Sequence, residues 1–250
     1  MNDFRGGTRR SGRRPNVVWK NQEKMEESNM LIGKIIVDKG INKKEVLSTI
    51  RKGWNLNETV DVVDLGEEAF VFTFTEMKDK CRLLKGRPWT IDGSLMSIQE
   101  WSEFKVLNEV SFDRTPVWVQ FHNVPLRILE FEENVWNMGN SVGDLVWYER
   151  PKTEGKYTRC FARARVLIDI RRPLTHGFWT ARPDGSEIWI SVKYERLQSF
   201  CYKCSLIGHD SKTCRKEFVI NQKGERVYGP WTVTGVERDK EEALIQYDKN

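Results

Sequence analysis

The sequence predicts an α+β protein: two strand-rich units of mixed α and β structure followed by a small metal-stabilised module. Three observations carry that expectation. Short strand patterns between 31 and 101 alternate with two helix-like segments, a second run of strand patterns begins near Thr115, and three of the five cysteines crowd into CYKCSLIGHDSKTC at 201–214. Ten Trp and twelve Phe in 250 residues are too many for a disordered chain.

The first unit is expected over 30–105. LIGKIIV (31–37) has strand composition, and Asn42 with Glu45 forms an Asn-x-x-Glu start signal for a helix running to about Trp54. VDVVDLG (60–66) and AFVFTFT (69–75) read as strands around a turn at Gly66 and Glu67. MKDKCRLLKG (77–86) reads as a second helix, and LMSIQEW (95–101) as the closing strand. The order β-α-β-β-α-β is the ferredoxin-like arrangement, shared by RNA-recognition motifs. Phe70, Phe72 and Phe74 alternate, but Glu67 and Glu68 stand where an RNA-recognition signature wants Lys/Arg and Gly, so these rings are expected in the core.

The second, β-rich α+β unit is expected over 113–198. VWVQFH (117–122), DLVWYE (144–149), RCFARARVLIDI (159–170) and EIWISVKYE (187–195) read as strands, and FEENVWNMGNSVG (131–143) as a helix. RRPLTHGFWTARPDG reads as a connection without helical period. Side chains alternate along a strand. Ala162, Ala164, Val166, Ile168 and Ile170 therefore share one face, and Phe161, Arg163 and Arg165 the other. Applied also to 117–122 and 187–195, this collects Trp118, His122, Phe161, Arg163, Arg165, Trp189 and Lys193 on one sheet face. Such a face suits either single-stranded nucleic acid, by stacking and phosphate contacts, or packing against the first unit.

Charge is concentrated in islands. Residues 1–15 carry +4, 150–172 carry +6 and 201–216 carry +3, against a total of +5. A basic surface set against an acidic remainder suggests a polyanionic partner. Residues 1–29 read as a flexible basic arm or a nuclear-import signal.

Cys201, Cys204, His209 and Cys214 have the spacing C-x2-C-x4-H-x4-C. Three thiolates and one imidazole make a closed tetrahedral site for one structural Zn2+, expected within a module at 199–216. So short a segment cannot bury a core, so the metal must supply its folding energy. Cys81 and Cys160 read as small buried residues. No His-Glu-x-x-His, phosphate-cradling Gly loop or dinucleotide fingerprint occurs, so a non-enzymatic chain is expected. No apolar run reaches membrane-spanning length and no secretory signal is evident. The expected location is intracellular, nuclear and/or cytoplasmic.

Tyr202 after the first cysteine, Gly-His at 208–209, and Lys203, Lys212, Arg215 and Lys216 around the loop resemble the CCHC zinc knuckle of retroviral nucleocapsid and retrotransposon proteins. Ser205 departs from that pattern, which usually has Gly there. Upstream, the Phe-rich strand, the helix, Gly-x-Pro-Trp and the closing Gln-x-Trp within 70–101 resemble a plant domain of unknown function. That domain precedes zinc knuckles in LINE-type retrotransposon-derived proteins. Segments 117–126, 173–204 and 228–231 resemble the downstream segments of the same proteins. The resemblance implies an RNA-recognition-like first domain, a linked β-rich domain, a zinc-dependent knuckle that binds single-stranded RNA or DNA, and an extension over 217–250. It marks Tyr202, Lys203, Lys212, Arg215 and Lys216 as nucleic-acid contacts, to which the strand pattern adds Trp118, Arg163, Arg165, Trp189 and Lys193. The alternative expectation is a protein-interaction adaptor using the knuckle and exposed Trp.

Overall fold

A computed structural model describes residues 28–38, 40–54, 60–197 and 200–234. Residues 1–27 of the basic arm and the end of the C-terminal extension lie outside the described residues; Asn29, at the arm's end, donates to the Phe74 carbonyl. The chain is a strand-rich α+β structure with two main sheets and few helices.

The first sheet is built from β1 (Met30–Ile36), β2 (Val60–Gly66), β3 (Ala69–Phe74), β4 (Trp89–Ile91) and β5 (Ser94–Trp101), in the order β2-β3-β1-β5-β4. Helices α1 (Lys43–Gly53) and α2 (Met77–Lys85) cover one face. Asn42 caps α1, its side chain accepting from the Lys44 N–H at 3.3 Å. That satisfies one of the donors a helix start leaves unpaired. Phe70, Phe72 and Phe74 point to the helices with Leu31, Ile35, Val46, Ile50, Trp54 and Leu83 and are buried there. The opposite face is partly closed: Ile32, Val71 and Trp101 pack under Leu107, Val110 and Phe112 of the segment leading out of the sheet, while Val63 and Leu65 at the β2 edge are exposed. The β2–β3 turn places Glu67 and Glu68 at φ 48° and 59°. Two consecutive positive φ values make the two-residue hairpin turn that matches strand twist.

The second sheet contains β6 (Arg114–His122), β7 (Asp144–Glu149), β10 (Ala162–Asp169), β11 (Gly177–Ala181) and β12 (Glu187–Glu195), in the order β11-β12-β6-β10-β7. Strand β13 (Val233–Thr234) pairs with β12 in parallel. A small hairpin, β8 (Lys152–Thr153) with β9 (Lys156–Tyr157), stands apart. Helices α3 (Leu126–Leu129) and α4 (Glu132–Asn140) supply Leu129, Val135 and Met138 to the core on one face. That face holds Ala162, Ala164, Val166, Ile168, Ile190, Val192 and Tyr194, as alternation requires. Leu95 of β5 belongs to the same core, which ties the first sheet to the second.

The segment expected to be a bare connection contains β11. Its Gly177 lies under the Trp189 ring: a Cβ there would come within 2.4 Å of Trp189 Cζ2 and 2.5 Å of the Ile190 carbonyl oxygen. Neither neighbour can retreat without opening the β11–β12 pairing. Gly177→Ala is therefore expected to cost about 1–3 kcal/mol, an overpacking penalty, read as a lower urea midpoint with unchanged slope.

Cys81 and Cys160 are exposed, not buried. Cys81 sits on the solvent side of α2, and Cys160 in the loop entering β10. Among the described residues, no helix is long and apolar enough to cross a membrane.

Candidate metal centre and nucleic-acid interface

Residues 201–214 bring all four predicted ligands together. The ligand atoms of Cys201, Cys204, His209 and Cys214 lie within 4.8 Å of one another, and Cys204 Sγ is 3.3 Å from His209 Nε2. Tetrahedral zinc at bond lengths of about 2.0–2.3 Å needs donors separated by roughly 3.5–4 Å, so the cluster fits that ion. Cys201 and Cys204 are buried and Cys214 partly so. Burial works against the Cys201 thiolate, but the backbone N–H groups of Cys204 and Lys203 and the neighbouring thiols outweigh it and bring that thiol down to about 7. Burial carries Cys204 up to about 11, the Leu206 N–H opposing it in part. So many donors in so small a space repel one another once deprotonated, and a cation removes that conflict. The bound metal would supply folding energy and hold the two arms of the loop.

Local geometry explains the departure at Ser205. Its φ is +56°, the left-handed region that glycine adopts most easily. Serine is retained with compensation: its N–H donates to the Cys201 carbonyl at 2.7 Å, its hydroxyl to the Cys204 carbonyl at 2.7 Å, and its own carbonyl accepts from the Leu174 N–H at 3.1 Å. The last bond fastens the loop to the second unit. Phe200 and Ile207 complete the attachment by entering the second core. The module is thus docked rather than tethered.

Residues 23–109 match the family described as a domain of unknown function (DUF4283), and residues 168–216 match the zinc knuckle family. The chain carries a DUF4283 domain followed by a zinc knuckle. The knuckle match begins at Ile168, in β10, well before Cys201, in keeping with a knuckle fastened to the strands that precede it. No curated protein matches the chain.

Around the knuckle, Lys212, Arg215 and Lys216 are exposed, and none makes an ion pair among the described residues. Lys203 leans inward, its Nζ 3.3 Å from the Cys214 carbonyl and 5.4 Å from the Phe218 ring centre. Tyr202 is half-buried, its ring set edge-on against Phe200 at 5.1 Å and packed on the second core. It therefore offers only part of its surface to a ligand. Sequence reasoning missed Phe218 and Arg226: the Arg226 guanidinium lies 4.0 Å from the Phe218 ring centre, on a hairpin just after the knuckle. The signal was an aromatic two residues beyond Arg215-Lys216.

Of the two expectations for the sheet face, the packing one describes Trp118, Arg163 and Arg165, and the alternation that defined the face holds. Arg163 is buried, with only 1% of its surface exposed. It donates to Glu195 through Nε (2.7 Å) and Nη2 (2.8 Å), pairs with Glu149, and stacks at 3.7 Å over Trp118. Trp118 is buried too, with Trp147 edge-on against it. Arg165 donates to the carbonyls of Leu84, Lys85 and Arg87 at the C-terminal end of α2, where the helix dipole favours a cation. Arg196 reaches Gly86 nearby. The first unit therefore meets this face at Arg165 and Arg196, and Arg163, Arg165 and Trp118 serve packing. Trp189 and Lys193 are half-buried, Trp189 lying between His176 and Trp179.

The second basic island is likewise absorbed into the fold. Arg150 pairs with Glu132, Lys152 with Glu130, Arg159 with Glu149, and Arg171 with both Asp113 and Asp169. The Arg171 hydrogen bonds hold the Asp169 carboxyl well below the usual range. The knuckle trio Lys212, Arg215 and Lys216, by contrast, stays exposed.

Proposed function

We propose that this chain is a non-enzymatic, zinc-dependent nucleic-acid-binding protein that prefers single-stranded RNA or DNA and contacts it through the knuckle and the hairpin after it. The observation that carries the reading is the exposed trio Lys212, Arg215 and Lys216 beside a complete Cys/His cluster, with Phe218 and Arg226 on the adjoining hairpin. Cations follow phosphates and an aromatic edge meets bases, a combination suited to flexible single strands. One structural zinc completes the module.

The first sheet's order, with β3 between β1 and β2, supports an RNA-recognition-like, ferredoxin-like description of residues 30–105. One of its faces is covered by helices and the centre of the other by the outgoing segment, so the fold there serves as a scaffold. The two sheets and the metal cluster support a division at 30–105, 113–198 and 199–216, with β13 and Tyr228 of the extension returning to the second sheet and its core. The order of a DUF4283 domain and a zinc knuckle supports descent from a plant LINE-type retrotransposon protein, acting in the nucleus and/or cytoplasm. The three histidines occupy structural settings, which supports the non-enzymatic reading. His122 stacks on Phe161 and meets Gln120, His176 sits between Trp189 and Tyr228, and His209 is in the cluster.

A variant with Lys212, Arg215 and Lys216 all changed to Gln tests the interface. Binding of a labelled single-stranded RNA should weaken, and the slope of log K against log salt should shrink by about 2, since each phosphate contact on single strands contributes roughly 0.7. An unchanged slope would place the contact elsewhere. A protein-interaction reading is favoured by exposed tryptophans, Trp179 foremost: it is 62% exposed and rests edge-on against Trp189, and Trp136 and Trp231 are exposed as well. Loss of a protein partner, with RNA binding intact, in Trp179→Ala would support that alternative.

A further inference from the structure

Asp38 lies just beyond β1, in the DUF4283 domain, far from the knuckle in sequence. It touches the metal cluster twice. Its N–H donates to the Gly208 carbonyl at 3.1 Å, and its Oδ2 is 3.3 Å from His209 Nδ1. His209 Nε2 faces Cys204 Sγ at 3.3 Å, so the two ring nitrogens divide their tasks: one turns to the cluster, the other to the carboxylate. A metal-binding histidine characteristically hands its other N–H to a carboxylate, which fixes the tautomer and strengthens the ligand.

Gly208 makes the contact possible. Its φ of +107° is open to glycine, and it brings the backbone against Ile36 and Asp38, with a notional Cβ 3.6 Å from both Asp38 Oδ1 and Ile36 Cγ2. The His209 side chain is only 16% exposed, whereas that of Asp38 is 67% exposed, so Asp38 has little packing role of its own.

We propose that Asp38 is a positioning residue of the zinc centre, supplied by the DUF4283 domain, and that metal loading latches this domain to the knuckle. The inference rests on the zinc reading of the cluster. Zinc orders the 208–209 backbone, which then accepts from the Asp38 N–H. The Asp38 carboxylate in turn holds His209 in its ligating tautomer. The coupling must be reciprocal: a docked domain strengthens zinc binding, and zinc strengthens docking.

The test uses the full chain and zinc alone. Zinc affinity is measured by competition with a chromophoric chelator for wild type, Asp38→Ala and Asp38→Asn, and hydrogen exchange at the Asp38 amide is followed with and without zinc. Asp38→Ala should bind zinc about 10–100-fold more weakly, the usual effect of losing such a partner. Asp38→Asn, which keeps an acceptor but not the charge, should fall between. The wild-type Asp38 amide should lose protection when zinc is removed. Equal zinc affinity in wild type and Asp38→Ala, or Asp38 protection indifferent to zinc, would overturn this inference alone. A wild-type chain that takes up no zinc would overturn it together with the zinc reading.

Discussion

Arg163→Ala should destabilise the protein by about 3–5 kcal/mol, the range for removing one partner of a buried ion pair. Arg163 satisfies two carboxylates at once, Glu195 (1% exposed) and Glu149 (7% exposed), and its guanidinium lies over the Trp118 ring. Gln120 also donates to Glu195 at 2.7 Å, and Arg159 to Glu149, so neither acid is stripped bare. What the mutant loses is the bidentate fork, the cation over the indole, and the volume between them. Arg163→Lys keeps the charge without the fork and should lose less. Combining Arg163→Met with Glu195→Gln should recover part of the deficit, because one unpaired charge has been removed along with its partner. Equilibrium urea denaturation measures all three. A loss below about 1 kcal/mol for Arg163→Ala would contradict the view that this network holds the second sheet together.

Removing zinc, by chelation or by Cys204→Ser, should reach beyond the knuckle. In isolated zinc-finger peptides the metal contributes on the order of 10–16 kcal/mol, which is their whole folding energy. Here the loop also lends Phe200 and Ile207 to the second core and bonds Leu174 through Ser205. Metal loss should therefore lower the Tm of the second unit and expose amides over 200–214 and at Leu174. The first sheet, with its separate core, should keep its protection except at Asp38. Hydrogen exchange with and without chelator reads this pattern. A loss confined to 201–214 would mean that the knuckle hangs free.

Much of this was legible in the sequence because local rules and tertiary packing agree. The metal ligands are set by spacing, and the buried strand faces by alternation: Phe70, Phe72 and Phe74, and Ala162, Ala164, Val166 and Ile168, point into their cores. The Asp92-Gly93 turn carries an equally clear signal that the strand pattern of 95–101 alone does not use. Asp-Gly between strand residues is a strong hairpin signal, and it joins β4 to β5 with φ values of 47° and 77°. Strand β11 was hidden because Gly177 and the flanking Pro and Gly read as loop. Its glycine is there to admit Trp189.

Which of the two expectations for the sheet face would hold was not legible, for a different reason. Alternation says which residues share a face, not whether another unit covers it. Arg163 and Trp118 look outward from their own core and inward toward a second layer. Charge counting failed similarly at 150–172, where the cations had acidic partners distant in sequence. Asp38 could not be found from sequence at all: nothing near it suggests a ligand, and only folding brings it to His209.

The most direct test of the central claim is a fluorescence-anisotropy titration of labelled single-stranded RNA, at low and moderate salt, with zinc-loaded wild type beside Cys204→Ser. The knuckle account predicts tight, salt-sensitive binding by wild type and markedly weaker binding by the variant. Equal binding by the two proteins would contradict it.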